Sequence, residues 1–381
     1  MAAKTALVLS GGGGRGAYHV GVITALVERG WMRDGVGPDI LAGTSIGAIN
    51  AAALASGQRV AELRDRWLAM HTEEVHRLAQ DIPLAARPLM RFILRSVLTS
   101  DAHGGAQLVL PPEQRDLTAQ GLFERIGQVF RATPFRSLLD TRPWRQTLAA
   151  WMDFDRINDP QAPTLLITAT DIQTGGLRVF ANRQVGRVPP TILTIDHLMA
   201  SSSIPMVYPW TEIDGAKYWD GAVLANTPLG PVIDAAGADD VDIIVVMMTP
   251  WNTDEDELRA QLDGVPEDLV QGLSLTLDWA LLASYRSAVK MLHAYNRLAA
   301  AAALLARAAQ QTGDPTLAMT GRVPRAIRTP LVIAPERLMP LAQMIDYEEP
   351  GHLALFTLGY ADAIRALDAR MLAQMLDPAA G

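Results

Sequence analysis

Cysteine is absent from all 381 residues. That excludes a disulfide scaffold, a thiol nucleophile and a thiolate metal site together, and it fits a reducing compartment. Charge is sparse: Asp, Glu, Lys and Arg make up 19% of the chain, and 33 basic against 41 acidic side chains leave a net charge of −8. An acidic balance argues against a dedicated nucleic-acid binder, which carries a basic face. Long hydrophobic runs are missing too. The cleanest, 298–306, is mostly alanine and lies between Arg297 and Arg307, whereas a spanning helix needs about 20 apolar residues. The N-terminus does not read as a secretory signal. Lys4 precedes only Thr5-Ala6-Leu7-Val8-Leu9, shorter than an apolar h-region of about 7–15 residues. Together these absences predict a soluble, cytoplasmic protein that can touch a membrane at its periphery without crossing it.

Apolar material, by contrast, is plentiful at 49% of residues, which is enough for a sizeable core and excludes whole-chain disorder. At roughly 100–200 residues per domain, the length suits two domains or one large α/β domain with insertions. Residues 6–9 form a short apolar run closed by Ser10 and four glycines, as a buried strand entering a loop would be. Residues 17–29 carry Val20, Ile23 and Val27 at helical spacing, with Gly30 placed as a C-terminal cap. A strand is predicted over 40–42, a helix over 48–56, and strands over 165–169, 177–180 and 243–247. Strands interleaved with helices predict an α/β fold: three layers, α/β/α, around a largely parallel sheet. Residues of about 60–150 break the rhythm and read as a helical insertion. From about 252 the chain is helical again, so the expected division is 1–250 and a helical region 251–381. The acidic run 254–257 follows Thr253 and suits a helix's positive end. It lacks the spacing of a calcium loop.

Three segments carry chemistry. Gly43-Thr44-Ser45-Ile46-Gly47 stands between a predicted strand and a predicted helix, the setting of a nucleophile elbow. A tight turn would hold Ser45 in a strained conformation with its hydroxyl projecting, and small neighbours would let strand and helix approach. Gly11-Gly12-Gly13-Gly14-Arg15-Gly16 also joins strand to helix. Its bare N–H groups could hold an anion. Gly11, Gly13 and Gly16 match a dinucleotide fingerprint formally, but Asp39 stands before the second strand rather than after it. The Gly-Lys-Ser/Thr ending of a phosphate loop is missing. An oxyanion hole for the serine on the next strand's turn and a merely flexible turn are the other readings. Trp219-Asp220-Gly221-Ala222 is on its own no more than a turn.

In this order and spacing the three segments resemble the patatin-like phospholipase family, bacterial type. The likeness extends to Leu139-Asp140-Thr141, Ala169-Thr170-Asp171, Ala200-Ser201-Ser202-Ser203-Ile204-Pro205 with Tyr208-Pro209, and loosely to Gly359-Tyr360-Ala361-Asp362-Ala363. The resemblance implies a Ser–Asp dyad, with Ser45 as nucleophile and Asp220 as its base. It implies an oxyanion hole from Gly12, Gly13 and Gly14, with Arg15 holding the loop or a lipid phosphate. Gly11, Gly16, Gly43, Gly47, Gly221 and Ala222 complete the motifs. Two departures stand out: the glycine run is one longer than the pattern requires, and Asp-Gly-Ala replaces Asp-Gly-Gly. The implied activity is a lipid acyl hydrolase of phospholipase A or lysophospholipase type, needing no metal and no organic cofactor. The expected partner is a lipid or phospholipid substrate. Peripheral membrane contact and a homo-oligomer are compatible, and nucleic acid is not. A general carboxylesterase, a neutral-lipid hydrolase and a catalytically inactive membrane-surface scaffold are the alternatives.

Two further features compete for attention. A Ser–His–Asp triad would use His352, which follows Pro350-Gly351 and reads as a solvated loop residue. Arg87, Arg91 and Arg95 recur every fourth residue among apolar neighbours. They read either as a solvated helix stripe or as a membrane-facing lid. The alanine-rich stretch 298–309 could line a helix contact, internal or between copies.

Overall fold

A computed structural model describes residues 3–82, 87, 137–237, 240–251, 269–312 and 326–376. Arg91, Arg95 and the acidic run 254–257 lie outside them, as does most of the 60–150 insertion. Arg87 is described, and its guanidinium turns back onto the carbonyls of Ile82 (3.1 Å) and Gln80 (3.0 Å).

The strands are β1 (Lys4–Leu9), β2 (Ile40–Thr44), β3 (Arg77–Leu78), β4 (Leu139–Asp140), β5 (Thr164–Asp171), β6 (Leu177–Ala181), β7 (Thr211–Ile213), β8 (Ala216–Asp220), β9 (Val241–Val246) and β10 (Leu331–Ile333). The helices are α1 (Gly16–Glu28), α2 (Ile46–Ala55), α3 (Val60–Leu68), α4 (Thr72–Val75), α5 (Arg142–Trp151), α6 (Phe154–Ile157), α7 (Ile195–Ser201), α8 (Ala222–Ala225), α9 (Leu229–Ala236), α10 (Leu269–Thr312) and α11 (Glu349–Leu376). One mixed sheet runs in the order β10-β9-β1-β2-β5-β8-β7, with β6 also paired to β5. The β10-β9-β1-β2-β5 half is parallel; β6, β8 and β7 join by antiparallel pairing. β3 and β4 form a separate ladder.

Both faces of the parallel half are covered, which is why the buried middles of its strands are mostly apolar. Leu7 and Leu9 of β1 enter a core built with α1, α2, α3 and α11. Ala6 and Val8, alternating with them, enter a second core under α9 and α10. Period-2 alternation thus feeds two helical layers. α1 and α11 meet backbone to backbone. A Cβ on Gly21 would strike the Phe356 carbonyl, and one on Gly359 the Tyr18 carbonyl. The Tyr18 hydroxyl donates to Asp362 Oδ2 at 2.8 Å across that contact. Among the described residues no helix is long and apolar enough to cross a membrane.

Two expectations are corrected. α2 begins at Ile46, two residues earlier than read from sequence, so its N-terminus lies directly behind Ser45. His352 is not a solvated loop residue: it is in the first turn of α11 and buried. Pro-Gly suggested a loop, but proline fits a helix's first turn, where its missing N–H has no intrahelical acceptor to lose.

Candidate active site

The register of β5 explains how Ser45 and Asp220 meet. β2 pairs with β5 up to Thr44 opposite Thr168. β8 pairs with the next residues of β5, beginning with Asp220 opposite Ala169. At Ala169 and Thr170 the other edge of β5 is taken by Arg178 and Leu177 of β6. β8 therefore occupies the edge that β2 vacates, and the two strands run toward each other end to end. The residue after Thr44 faces the last residue of β8. The Ser45 side chain is thereby set beside the Asp220 carboxylate, close enough to favour its charged form.

Ser45 has φ 55° and ψ −125°, one of few non-glycine residues here with positive φ. This is strained backbone for a side-chain-bearing residue. The turn closes only because its flanks are small. A Cβ on Gly43 would collide with the backbone of Gly47, and one on Gly47 with the Leu9 carbonyl. The Ser45 N–H donates to Ser201 Oγ at 2.9 Å. Beneath it, the hydroxyls of Thr44 and Thr168 are 2.6 Å apart, and Thr44 Oγ1 donates to the Ala225 carbonyl at 2.8 Å. Strand, turn and α8 are thereby tied together under the serine.

Asp220 is fixed as firmly. Its N–H donates to the Ser203 carbonyl (2.8 Å), its carbonyl accepts from Thr170 Oγ1 (2.9 Å), and its Oδ1 accepts from the Ala222 N–H (2.8 Å). Burial raises the carboxyl from an ordinary 3.8 to about 7, against the lowering effect of the Ser45 hydroxyl and the Ala222 N–H. Desolvation penalises the charged form more than two hydrogen bonds restore it. The result is an acid–base group poised near neutral pH.

The glycine loop lies against the serine. A Cβ on Gly11 would come 3.2 Å from Ser45 Cβ and 2.5 Å from Asn226 Oδ1. The Gly11 N–H donates to the Asn226 carbonyl (3.1 Å). Gly13 has φ +59°, and Met344 and Asp346 carbonyls lie where Cβ atoms of Gly13 and Gly14 would be. Gly12, Gly13 and Gly14 donate to no backbone acceptor among the described residues. Arg15 is buried, and its guanidinium donates to the carbonyls of Met339 (2.8 Å) and Pro340 (3.0 Å). It pins the loop to the segment before α11. Asp39 does not face the loop; it accepts from Thr5 N–H and Oγ1 at the opposite end of β1. The dinucleotide fingerprint therefore lacks its acid.

The chain matches the patatin-like phospholipase family profile over residues 7–233. It belongs to that family. The patatin-like domain is an ester-hydrolase domain, and the family implies lipid substrates. No curated protein matches the chain. Among solved structures it is similar to VipD of Legionella pneumophila, at 16% identity and TM-score 0.40, over 96% of this chain and 67% of that one. It is also similar to the ExoU–SpcU complex of the type III secretion system of Pseudomonas aeruginosa, at 24% identity and TM-score 0.31, over 74% and 50%. This patatin-like chain thus spans half the matched Pseudomonas chain.

Sequence reading missed three contributors. Ser201 accepts from the Ser45 N–H; its Ser-Ser-Ser-Ile-Pro run was a signal without a role. Thr168 supports the elbow from β5. Asn226 is buried between Gly11 and α10, with no partner for its Oδ1 among the described residues. The histidines compete poorly. Burial lowers His19 to about 3 and His76 to about 4, and His76 Nδ1 is paired with the Tyr208 hydroxyl at 2.9 Å. His352 packs edge-on against Trp67 (centroids 5.4 Å) and has no hydrogen-bonded carboxylate among the described residues. His352→Phe, which keeps the ring packing, should therefore retain ester turnover within about tenfold, where loss of a general base costs about 10²–10⁴. A larger loss in kcat on a folded variant would install the triad.

Proposed function

We propose that this protein is a serine lipid acyl hydrolase of phospholipase A or lysophospholipase type, with Ser45 as nucleophile and Asp220 as general base. The observation that carries the reading is a backbone-strained serine set by the strand register against a buried carboxyl that burial raises to about 7. Asp220 takes the Ser45 proton as the hydroxyl oxygen attacks the ester carbonyl. The tetrahedral oxyanion is held by the N–H groups of Gly12, Gly13 and Gly14 and by the positive end of α2. Collapse breaks the ester C–O bond, and the alcohol leaves with the proton from Asp220. Asp220 then deprotonates a water molecule, which attacks the acyl-Ser45 carbonyl. The fatty acid departs, and the Ser45 oxygen takes the proton back. This chemistry requires neither a metal nor an organic cofactor. Arg15 acts as a structural clamp on the loop rather than as a phosphate contact, because its guanidinium is directed at the Met339 and Pro340 carbonyls.

A fluorophosphonate probe tests the reading. It should label wild type on the peptide containing Ser45, and Ser45→Ala should stay unlabelled. A folded wild type that resists the probe would favour the inactive-scaffold alternative. Product masses from a panel of phospholipid, lysophospholipid, triacylglycerol and short-chain esters then separate phospholipase from neutral-lipid hydrolase and carboxylesterase.

A further inference from the structure

α10 runs for 44 residues, about 66 Å at 1.5 Å per residue. One side of it, with Leu282, Tyr285, Leu292 and Ala299, is buried. On the other side Met291, Leu298 and Leu305 recur every seventh residue and form one row, at 71%, 64% and 47% exposure. On one side of that row, roughly 100–140° round the helix at 100° per residue, Arg286, Lys290 and Arg297 are exposed and make no ion pair among the described residues, and Arg286 lies over the Trp279 ring at 5.6 Å. After Asp278 the helix contains no Asp or Glu to its end. A chain of net charge −8 thus segregates an unbroken basic stretch onto one helix with an uncovered apolar row.

We propose that this outer face of α10 docks on an anionic lipid surface. The choice of lipid rests on the reading above that the substrate is a lipid ester. An apolar row beside exposed cations is the composition of an interfacial helix, in which leucine and methionine enter the acyl boundary and Lys or Arg meets the head groups. Charge decides between occupants. A second copy of α10 would set cation against cation, whereas an anionic bilayer complements both rows. The face is also mechanically joined to the site. α10 packs on α8, and Ser284 Oγ accepts from the Asn226 N–H at 3.2 Å. α8 itself exposes Val223 and Leu224 within four residues of Asp220.

Flotation of the Ser45→Ala protein with vesicles reads docking without turnover. Binding should be stronger on mixed phosphatidylcholine–phosphatidylglycerol vesicles than on phosphatidylcholine alone, and should weaken as salt is added. Replacing Arg286, Lys290 and Arg297 together by Gln should weaken binding to the mixed vesicles on the order of a hundredfold, at about fivefold per cation. Leu298→Asp should weaken it as well, and circular dichroism should find both variants folded. Equal binding to the two vesicle types, or a Gln variant that binds like its parent, overturns the proposal. So does a lipid-free dimer that Leu298→Asp disperses, which would give the face to a second copy. If the Ser45→Ala protein binds anionic vesicles but folded wild type resists the fluorophosphonate probe, the hydrolase reading is lost and the docking face kept. The reverse pattern keeps the hydrolase and loses the face.

Discussion

Asp220→Asn should lower kcat by about 10²–10⁴-fold, the typical contribution of a general base, and at the same time stabilise the fold in alkaline solution. The two effects share one cause. The buried Asp220 carboxyl titrates at about 7 against an ordinary 3.8. Below pH about 4 both folded and unfolded chains carry the proton, and this group costs nothing. As pH rises toward 7 the unfolded chain ionises first, so unfolding releases a proton and becomes easier. Above that the folded protein bears a buried charge, at a cost of roughly 4 kcal/mol. Asn is nearly isosteric and can still accept from the Ala222 N–H, but it has no charge to bury. Wild-type Tm should therefore fall between about pH 4 and pH 7.5 by more than that of the variant. In the same window kcat/KM of wild type should rise with pH through about 7, because only the carboxylate can take the Ser45 proton. Parallel Tm profiles of the two proteins would remove Asp220 from this role, and so would a pH-independent rate.

Ser45→Ala and Ser45→Gly should both abolish ester turnover, with losses on the order of 10⁴–10⁶ in kcat, as expected when a nucleophile is removed. Their stabilities should differ. At φ 55° and ψ −125° a Cβ is strained, and glycine adopts such a conformation without that penalty. Ser45→Gly should therefore be more stable than Ser45→Ala by about 1–3 kcal/mol in denaturant unfolding. Equal stability would mean that the elbow is not strained in solution. Substantial turnover by either variant would move the nucleophile elsewhere.

Much of the architecture was legible because the sheet signals are local. Residues 6–9, 40–42, 165–169 and 243–247 are largely apolar runs, and each lies in an observed strand or runs one residue past it. Helix starts were less legible. α2 begins inside the Gly43–Gly47 motif, where the glycine that permits close packing also reads as a helix breaker. His352 misled for a similar reason, since Pro350-Gly351 marks turns and helix first turns alike. β10 was not foreseen: three residues give too little pattern, and its place beside β9 comes from long-range pairing.

The sequence by itself determined which residue types could do the chemistry. A serine between small residues, a run of glycines before a helix and an Asp-Gly turn are local requirements, written in adjacent positions. It could not determine that Asp220 faces Ser45, because 175 residues separate them and neither local pattern encodes the other's direction. That was decided by β5, whose one edge pairs first with β2 and then, reversed, with β8, so that two strand ends converge. The acidity of Asp220 was decided there too. A carboxyl's proton affinity follows from how much water surrounds it, and only the packed layers around the sheet take that water away.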